Sequence, residues 1–342
     1  MPKEHNAAYY CQRASAGLII SEATVISEQG NGWSGAAAIY KPEHVSGWAK
    51  VTSAVHQKGG VIFCQLWHMG RVTSSKFHGL QPVSASAIAA TGNAWCHNKE
   101  KVPYEEPRAL DETEIPAVVA EYRHAAQCAK EAGFDGVEIH AANGYLIDQF
   151  LQSSTNKRSD AFGGSPENRM RLLNLVIAAC ETVFETSCIA VRLSPNGSFG
   201  SMGSDDNFAS FSYFIEHLPA GLAYAHIVDG LAFGFHEKDR VFRAYDARRL
   251  YPGVIIGNCG YSQDMAQGVI DAGCLDAVAF GRPFIGNPDL VERFRNKWPL
   301  APLPEFPLWY EAPGDDFESP AAQAMGYSDF PSYVPEDKPD DK

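Results

Sequence analysis

The chain has 342 residues, of which 45% are hydrophobic and 11% aromatic, enough to bury the core of one large domain or two ordinary ones. It carries 28 basic and 41 acidic side chains, a net charge of −13, and an acidic surface repels the phosphates of nucleic acids. No run approaches the ~20 apolar residues that span a bilayer, and the eight cysteines form no CxxC pairs. We therefore predict a cytoplasmic protein with reduced cysteines and no metal site, which binds neither nucleic acid nor membrane.

Strand-like apolar runs alternate with segments of helical period along most of the chain. A helix-like segment at residues 4–15 comes first, and seven strand candidates follow at residues 17–21, 61–66, 137–140, 189–193, 224–228, 254–257 and 277–280. Helical periodicity marks residues 43–56, 115–129, 166–184, 262–272 and 288–298. The alternation predicts an α/β fold with a parallel sheet, and the continuous apolar strands favour a (β/α)8 TIM barrel over an open doubly wound sheet.

The same pattern predicts how the barrel is organised. Because a helix-like segment stands first, we expect a barrel that lacks the first strand of a complete eight-stranded barrel. Residues 70–112 are rich in Ser, Gly, Asn and Pro and predict a long excursion after the third strand of a complete barrel, which we expect to act as a lid. Residues 1–310 would form a single barrel domain. Residues 311–342 hold nine acidic side chains and two lysines, and predict an acidic, partly disordered tail.

The most informative motif is the stretch GVEIHAANGY, at residues 136–145. A buried strand ends there in His140 and Asn143, which can both donate a hydrogen bond to an oxygen atom, and Tyr145 carries a phenol that can release a proton. This combination predicts a site that polarises a carbonyl group and delivers a proton. The alternative is a hydrogen-bonded pair of His and Asn in the core.

Other strand ends carry residues of the kinds that bind ligands. Gln65 offers an amide donor and acceptor, unless the backbone satisfies it. Arg192 ends a buried strand, where its charge requires an anionic ligand or a carboxylate. The loops at residues 257–260 (GNCG) and 280–282 (FGR) follow the last two strands and precede helices, and together they predict an anion site.

These segments resemble the Old Yellow Enzyme family, the FMN-dependent NADPH dehydrogenases and ene-reductases. The resemblance extends from about residue 9 to residue 333. It rests on these segments in order: QRASAGLI at 12–19, SEAT at 21–24, QLWH at 65–68, PVSAS at 82–86, the motif at 140–145, FGGSPENR at 162–169, FGR at 280–282 and NPDL at 287–290.

The resemblance implies FMN as the cofactor of the barrel and NADPH or NADH as the electron donor. It implies that the cofactor is bound by Gln65 and Arg192, by the backbone of Ala23, and at its phosphate by Cys259, Gly260, Gly281 and Arg282. It further implies that His140 and Asn143 bind the substrate and that Tyr145 is the proton donor. The substrate pocket would be lined by Trp67, Trp33 and one of Phe233 and Phe235.

The implied reaction reduces the C=C bond of an α,β-unsaturated carbonyl or a nitroalkene. A hydride from reduced FMN would reach the β-carbon and a proton from Tyr145 the α-carbon. The alternative is a truncated, weakly flavin-binding or inactive member of the family. In either case we expect a monomer or a homodimer. An iron–sulfur, dienoyl-reducing relative would need closely spaced cysteines, which this sequence does not have. A barrel isomerase or aldolase would need a catalytic Lys or Glu at a strand end, and no strand end here has a Lys.

Overall fold

The computed structural model describes residues 1–96, 100–231, 234–305, 309, 319 and 324–335. Within this range the chain forms two compact units. The first contains Met1 and residues 20–46 and 63–279, and the second contains residues 2–19, 47–62 and 280–342. Of the predicted acidic tail, only residues 319 and 324–335 lie among the described residues, so its predicted disorder and the predicted boundary at residue 310 stay predictions.

The core of the structure is a parallel sheet in which successive strands are neighbours. Its main strands, in order across the sheet, are β1 (Ile19–Ile20), β3 (Ile62–Trp67), β8 (Gly136–His140), β9 (Ile189–Leu193), β10 (Tyr224–Val228), β11 (Ile255–Asn258) and β12 (Ala277–Ala279), while β2 (Thr24–Val25) pairs with the end of β3. Among the described residues, β1 and β12 lie at the two ends of this order. All seven predicted strands are confirmed. Each is an apolar run, and the sheet buries most of their residues except those of β12, which are half-buried.

Helices cross over between the strands, as in a (β/α) barrel. The helices are α1 (Glu4–Gln12), α2 (Pro42–His56), α3 (Ser75–His78), α4 (Ile115–Glu131), α5 (Leu146–Leu151), α6 (Pro166–Glu181), α7 (Asn207–Glu216), α8 (Ala244–Leu250), α9 (Gln263–Asp271), α10 (Arg282–Gly286) and α11 (Leu290–Asn296). Local sequence explains several of their ends. Ser165 caps α6 by accepting from the Asn168 N–H, and Ser262 caps α9 in the same way. None of the described helices is both long and apolar enough to cross a membrane.

The excursion after β3 contains short ordered elements where the sequence predicted only a long loop. Besides α3 it holds β4 (Val83–Ser84), β5 (Asn93–Trp95), β6 (Lys101–Pro103) and β7 (Arg108–Ala109), with β4 pairing β7 and β5 pairing β6. Strands of two or three residues have too few positions to show a period, so the pattern missed them. The buried side chain of Arg71 anchors the excursion by donating to the carbonyl oxygens of Ile88 and Gly200, each at 2.8 Å.

In the second unit, α1 packs on residues near the end of the described chain. The guanidinium of Arg13 donates to the carbonyl oxygens of Phe284 (3.0 Å) and Ile285 (3.1 Å). Arg13 also lies over the ring of Tyr9, which stacks on Tyr327 with ring centroids 4.3 Å apart. Arg13 ends the helix one turn earlier than the predicted residue 15, because residues 13–16 form turns.

Candidate active site

The carboxyl ends of β3, β8 and β9 bring the predicted polar residues of the first unit together. Gln65 is the register partner of Glu138, and His140 is the register partner of Arg192. Parallel strands end at one edge of the sheet, which is where ligands bind in barrel enzymes. The strand register alone therefore places Gln65, His140 and Arg192 at the same end of the sheet.

His140 is buried and keeps a ring nitrogen without a hydrogen-bond partner. Its Nδ1 neither donates nor accepts a hydrogen bond within the described part of the chain. Burial, with the charges of Arg192 and His226, holds the pKa of His140 well below its usual value, so the imidazole is neutral at pH 7. Its ring meets that of Tyr145 edge to face, with centroids 5.0 Å apart. A neutral histidine with one N–H can donate to a substrate oxygen without adding a buried charge.

Asn143 and Gly144 form a tight turn that carries Tyr145. Asn143 has φ 55° and Gly144 has φ 74°, so both are in the left-handed region, where Asn and Gly are favoured. The Asn143 N–H donates to Ser194 Oγ at 2.6 Å. The Asn143 side-chain amide makes no hydrogen bond to any described residue, which leaves it available to a ligand. A β-carbon on Gly144 would lie 2.7 Å from the Phe199 carbonyl oxygen.

Two buried side chains of α5 hold this turn, and the sequence analysis missed both. Asp148 Oδ2 accepts from the Gly144 N–H at 2.8 Å, and Gln149 Nε2 donates to the Gly144 carbonyl oxygen at 2.7 Å. Burial raises the pKa of Asp148 to about 7, although the hydrogen bonds from Gly144 and Gln152 oppose it. A signal was present, since Asp148 and Gln149 interrupt an otherwise apolar helix, LIDQFL.

Beneath the strand ends Gln65 meets two buried polar residues that the sequence analysis missed, Glu138 and His226. Gln65 Nε2 donates to Glu138 Oε1 at 2.6 Å, and His226 Nδ1 donates to Glu138 Oε2 at 2.9 Å. Their signal is a charged or titratable residue inside a buried strand, in GVEIH and YAHIV. Burial would raise the pKa of Glu138, but His226, Arg192 and Gln65 together lower it below its ordinary value.

Arg192 places a positive charge beside this network. Its Nη2 donates to Asn258 Oδ1 at 3.2 Å, while its Nε has no hydrogen-bond partner in the described chain. Burial lowers the pKa of Arg192 and the Glu138 carboxylate opposes that change. A guanidinium is always protonated in proteins, so a buried cation with a free donor fits an anionic or strongly polar ligand.

An aromatic wall borders the same region. The buried residues Val25, Ala38, Trp67, Met69 and Val72 form a cluster, and among the residues packed against it are Ala23, Trp33, Tyr104 and Tyr145. The ring of Trp67 meets Tyr145 edge to face at 5.0 Å. The structure thus places the predicted Trp33, Ala23 and Tyr145 against the one cluster that contains Trp67. It adds Tyr104 from the excursion, which no sequence motif indicated.

The two predicted phenylalanines are placed differently. Phe235 packs its ring on His236, with centroids 4.8 Å apart, and it is not among the described residues that pack on the Trp67 cluster. Phe233 lies outside the described residues. The interpretation that one of them lines the pocket stays a prediction.

The predicted phosphate residues fall into two groups. After β11, Cys259 has φ 87° and Gly260 has φ 91°, and their N–H groups donate to no described residue. Successive N–H groups without partners in a bend of the chain can bind an anion, and such a group of N–H donors is called a nest. Gly230 permits close backbone approach there, since a β-carbon on it would lie 1.6 Å from the Cys259 carbonyl oxygen. Gly281 and Arg282 belong to the second unit, where the Arg282 guanidinium lies 5.5 Å from the ring centroid of Trp309.

These residues fit a flavin mononucleotide. The amide of Gln65 suits the donor and acceptor atoms of the flavin ring, the free donor of Arg192 suits an electron-rich edge, and the nest suits a phosphate. No group of three His, Cys, Asp or Glu side chains in the described ranges is placed to hold a metal ion. The fold and the site together define a barrel oxidoreductase that uses a flavin.

Comparison with known proteins gives the family. Residues 1–301 match the NADH:flavin oxidoreductase / NADH oxidase family. The chain is 37% identical to a putative 12-oxophytodienoate reductase 5 of Oryza sativa subsp. japonica, over 99% of this chain and 88% of that protein. The solved structure of the old yellow enzyme homologue from Zymomonas mobilis is 42% identical, with a TM-score of 0.90, over 97% of this chain and 91% of that one.

A structure of morphinone reductase in complex with tetrahydroNAD is 39% identical, with a TM-score of 0.85, over 98% of this chain and 90% of that one. The chain belongs to the Old Yellow Enzyme family of FMN-dependent oxidoreductases. The TIM-barrel fold predicted from the sequence is therefore confirmed, and so is the resemblance on which the cofactor prediction rested.

Proposed function

We propose that the protein is an FMN-dependent oxidoreductase that uses NADPH or NADH to reduce the C=C bond of α,β-unsaturated carbonyls or nitroalkenes. The observation that carries this proposal is the neutral, buried His140 beside the Tyr145 phenol. Membership of the family supports FMN as the cofactor. A nicotinamide electron donor is supported by the structurally similar morphinone reductase, which was solved with tetrahydroNAD. The substrate class is an inference from the chemistry of His140, Asn143 and Tyr145.

In this proposal the residues around the strand ends hold the cofactor. Gln65 and Arg192 bind the flavin ring, the backbone of Ala23 contacts it, and the N–H groups of Cys259 and Gly260 bind the phosphate. Gly281 and Arg282 are also assigned to the phosphate. When bound and reduced, FMN supplies a hydride to the β-carbon of the substrate.

The protein's own contribution is to bind the substrate oxygen and to move a proton. His140 and Asn143 donate hydrogen bonds to the carbonyl or nitro oxygen, on which negative charge builds as the hydride arrives. Donors placed in advance at such an oxygen contribute roughly 3–4 kcal/mol each to the transition state. Tyr145 Oη then gives its proton to the α-carbon as a general acid. Trp33 and Trp67 line the pocket and exclude water.

The test separates two steps of the catalytic cycle, the reduction of the flavin by NADPH or NADH and the reduction of the alkene. The purified protein should show bound flavin in its visible spectrum and should oxidise NADPH or NADH when given 2-cyclohexenone or a nitroalkene. In Tyr145→Phe, reduction of the flavin by NADPH should be unchanged, while alkene reduction should slow about 10²–10⁴-fold, the usual contribution of a general acid.

Two outcomes would count against the proposal. Loss of flavin reduction in Tyr145→Phe would show that the phenol acts elsewhere in the cycle. Wild-type protein without bound flavin, even after incubation with excess FMN, would favour the alternative of a weakly binding or inactive family member.

A further inference from the structure

The Glu138 carboxylate joins the residue assigned to the flavin ring to a histidine deeper in the sheet. Gln65 Nε2 donates to its Oε1 at 2.6 Å and His226 Nδ1 to its Oε2 at 2.9 Å. All three side chains are buried, and Glu138 has no exposed surface. The inference drawn here rests on the proposed function, because it concerns how Gln65 is presented to FMN.

Glu138 carries a negative charge in this environment. Burial opposes ionisation, but electrostatic attraction to His226 and Arg192, together with the hydrogen bonds from His226 and Gln65, lowers the pKa of Glu138. An ionised carboxylate has acceptor atoms and no donor. It therefore accepts from the NH₂ group of Gln65 and repels the carbonyl oxygen that a flipped amide would place there.

This hydrogen bond leaves a defined edge of Gln65 free. Its Oε1 accepts from no described residue, and Nε2 has a second hydrogen beyond the one given to Glu138. The pyrimidine edge of a flavin presents an N–H donor between two carbonyl oxygens. A glutamine amide whose orientation is fixed can pair with that edge through one acceptor and one donor.

We propose that Glu138 is a positioning residue that fixes the amide of Gln65 in the one orientation that pairs with the pyrimidine edge of FMN. The strand register supports this role, because Gln65 and Glu138 are direct partners on β3 and β8. His226 holds the other carboxylate oxygen, so the carboxylate cannot rotate away from Gln65 without losing a buried hydrogen bond.

The first test is a double-mutant cycle on FMN binding. FMN is titrated into flavin-free, full-length Glu138→Gln, Gln65→Ala and the double variant, and binding is followed by quenching of flavin fluorescence. Gln65→Ala should raise the Kd for FMN about ten-fold or more, as expected for lost hydrogen bonds. Glu138→Gln should raise it by a smaller, measurable factor, because its amide can accept from or donate to Gln65 and so permits both orientations. In the double variant the two losses should be clearly less than additive, because part of the effect of Glu138 passes through Gln65 and only the rest through the charge of Arg192.

A matched control makes the same chemical change elsewhere in the first unit. Glu121 is a half-buried carboxylate on α4, and Glu121→Gln should leave the Kd for FMN unchanged. Wild-type affinity in Glu138→Gln would overturn the inference while leaving the proposed function intact, and so would losses that add in the double variant. Failure of the wild type to bind FMN would overturn the proposed function and this inference together.

A second measurement needs no Glu138 variant. In ¹⁵N-labelled wild-type protein, the two side-chain N–H signals of Gln65, assigned by their loss in Gln65→Ala, should differ strongly. The hydrogen facing Glu138 should resonate downfield and exchange slowly with solvent, and the other should not. Two signals with the chemical shifts and the fast solvent exchange of a free primary amide would show that the amide is not held by Glu138 and would overturn the inference.

Discussion

Two buried carboxylates lie near the site, and their pKa values are shifted in opposite directions. Glu138 and Asp148 both have no exposed surface. Glu138, on a strand, has its pKa lowered below the ordinary value, whereas burial raises the pKa of Asp148, on a helix, to about 7. The difference comes from their neighbours, because Glu138 faces His226 and Arg192, while Asp148 accepts mainly from the neutral N–H groups of Gly144 and Gln152.

The contrast separates two tasks of the site. The strand ends hold opposite charges, because the buried Arg192 lies near enough to the ionised Glu138 carboxylate for each to shift the pKa of the other. The tight turn after β8 is held by hydrogen bonds, and Asp148 accepts from its Gly144 N–H with Oδ2 while Oδ1 accepts from Gln152. Variants can disturb either the charged strand ends or the turn. This gives four predictions, in decreasing order of expected effect.

The largest effect is expected at the charged strand ends. Glu138→Ala should lower the free energy of unfolding by about 3–5 kcal/mol at pH 7, because the variant leaves the buried charge of Arg192 without its nearby anion. Urea unfolding followed by circular dichroism measures this. The apolar variant Glu138→Leu tests the cause, since filling most of the space without restoring the negative charge should not recover the loss. A loss below about 1 kcal/mol would mean that Arg192 does not depend on Glu138.

The next effect concerns the donors to the substrate oxygen. His140→Ala should lower kcat for enone reduction about 10²–10³-fold, as removal of one preorganised donor does, and should weaken binding of a phenol such as 4-hydroxybenzaldehyde. Flavin content should stay at the wild-type level, because His140 is not assigned to the cofactor. Unchanged phenol binding in His140→Ala would contradict the assignment of His140 as a donor.

The sequence predicted the scaffold of the strand ends well, for a physical reason. Each strand is an apolar run buried by its neighbours, and parallel strands end at one edge, so Gln65, His140 and Arg192 could be placed together from the sequence. The network below them could not be predicted. Glu138 meets Gln65 across 73 residues and His226 across 88, and no local period records a partner that far away.

The surroundings of the turn were predicted only in part. The sequence predicted the roles of His140, Asn143 and Tyr145 but not the tight turn in this segment. In that turn Asn143 and Gly144 are both in the left-handed region. The braces Asp148 and Gln149 were missed because a polar residue in a helix usually faces solvent, and burial shows only in three dimensions. Tyr104 was missed for a related reason, since it comes from the excursion, whose two-residue and three-residue strands have no readable pattern.

The third prediction disturbs the geometry of the turn without changing charge. Gly144→Ala should lower the free energy of unfolding by about 1–3 kcal/mol, because a β-carbon is strained at φ 74° and would lie 2.7 Å from the Phe199 carbonyl oxygen. Gly164→Ala is the matched control, since Gly164 has φ 80° but nothing within 4 Å of a β-carbon. It should therefore show the strain alone. Equal losses in the two variants, measured by urea unfolding, would show that the contact with Phe199 has no cost.

The smallest effect concerns Asp148, and it is tested through the pH dependence of the free energy of unfolding. The pKa of Asp148 is raised from 3.8 to about 7 on folding, so the folded protein keeps a proton that the unfolded chain has released. The folded state is therefore favoured at low pH, and this contribution is lost as pH rises from about 4 to about 7.

Asp148→Asn cannot ionise and lacks this dependence, although its NH₂ group no longer accepts from Gln152. The variant should therefore be less stable than the wild type at pH 5, and the difference should shrink by about 1 kcal/mol for each pH unit up to 7. Urea unfolding of both proteins at pH 5, 6, 7 and 8 measures the difference. A constant difference would mean that Asp148 is ionised throughout, and the contrast with Glu138 would then be lost.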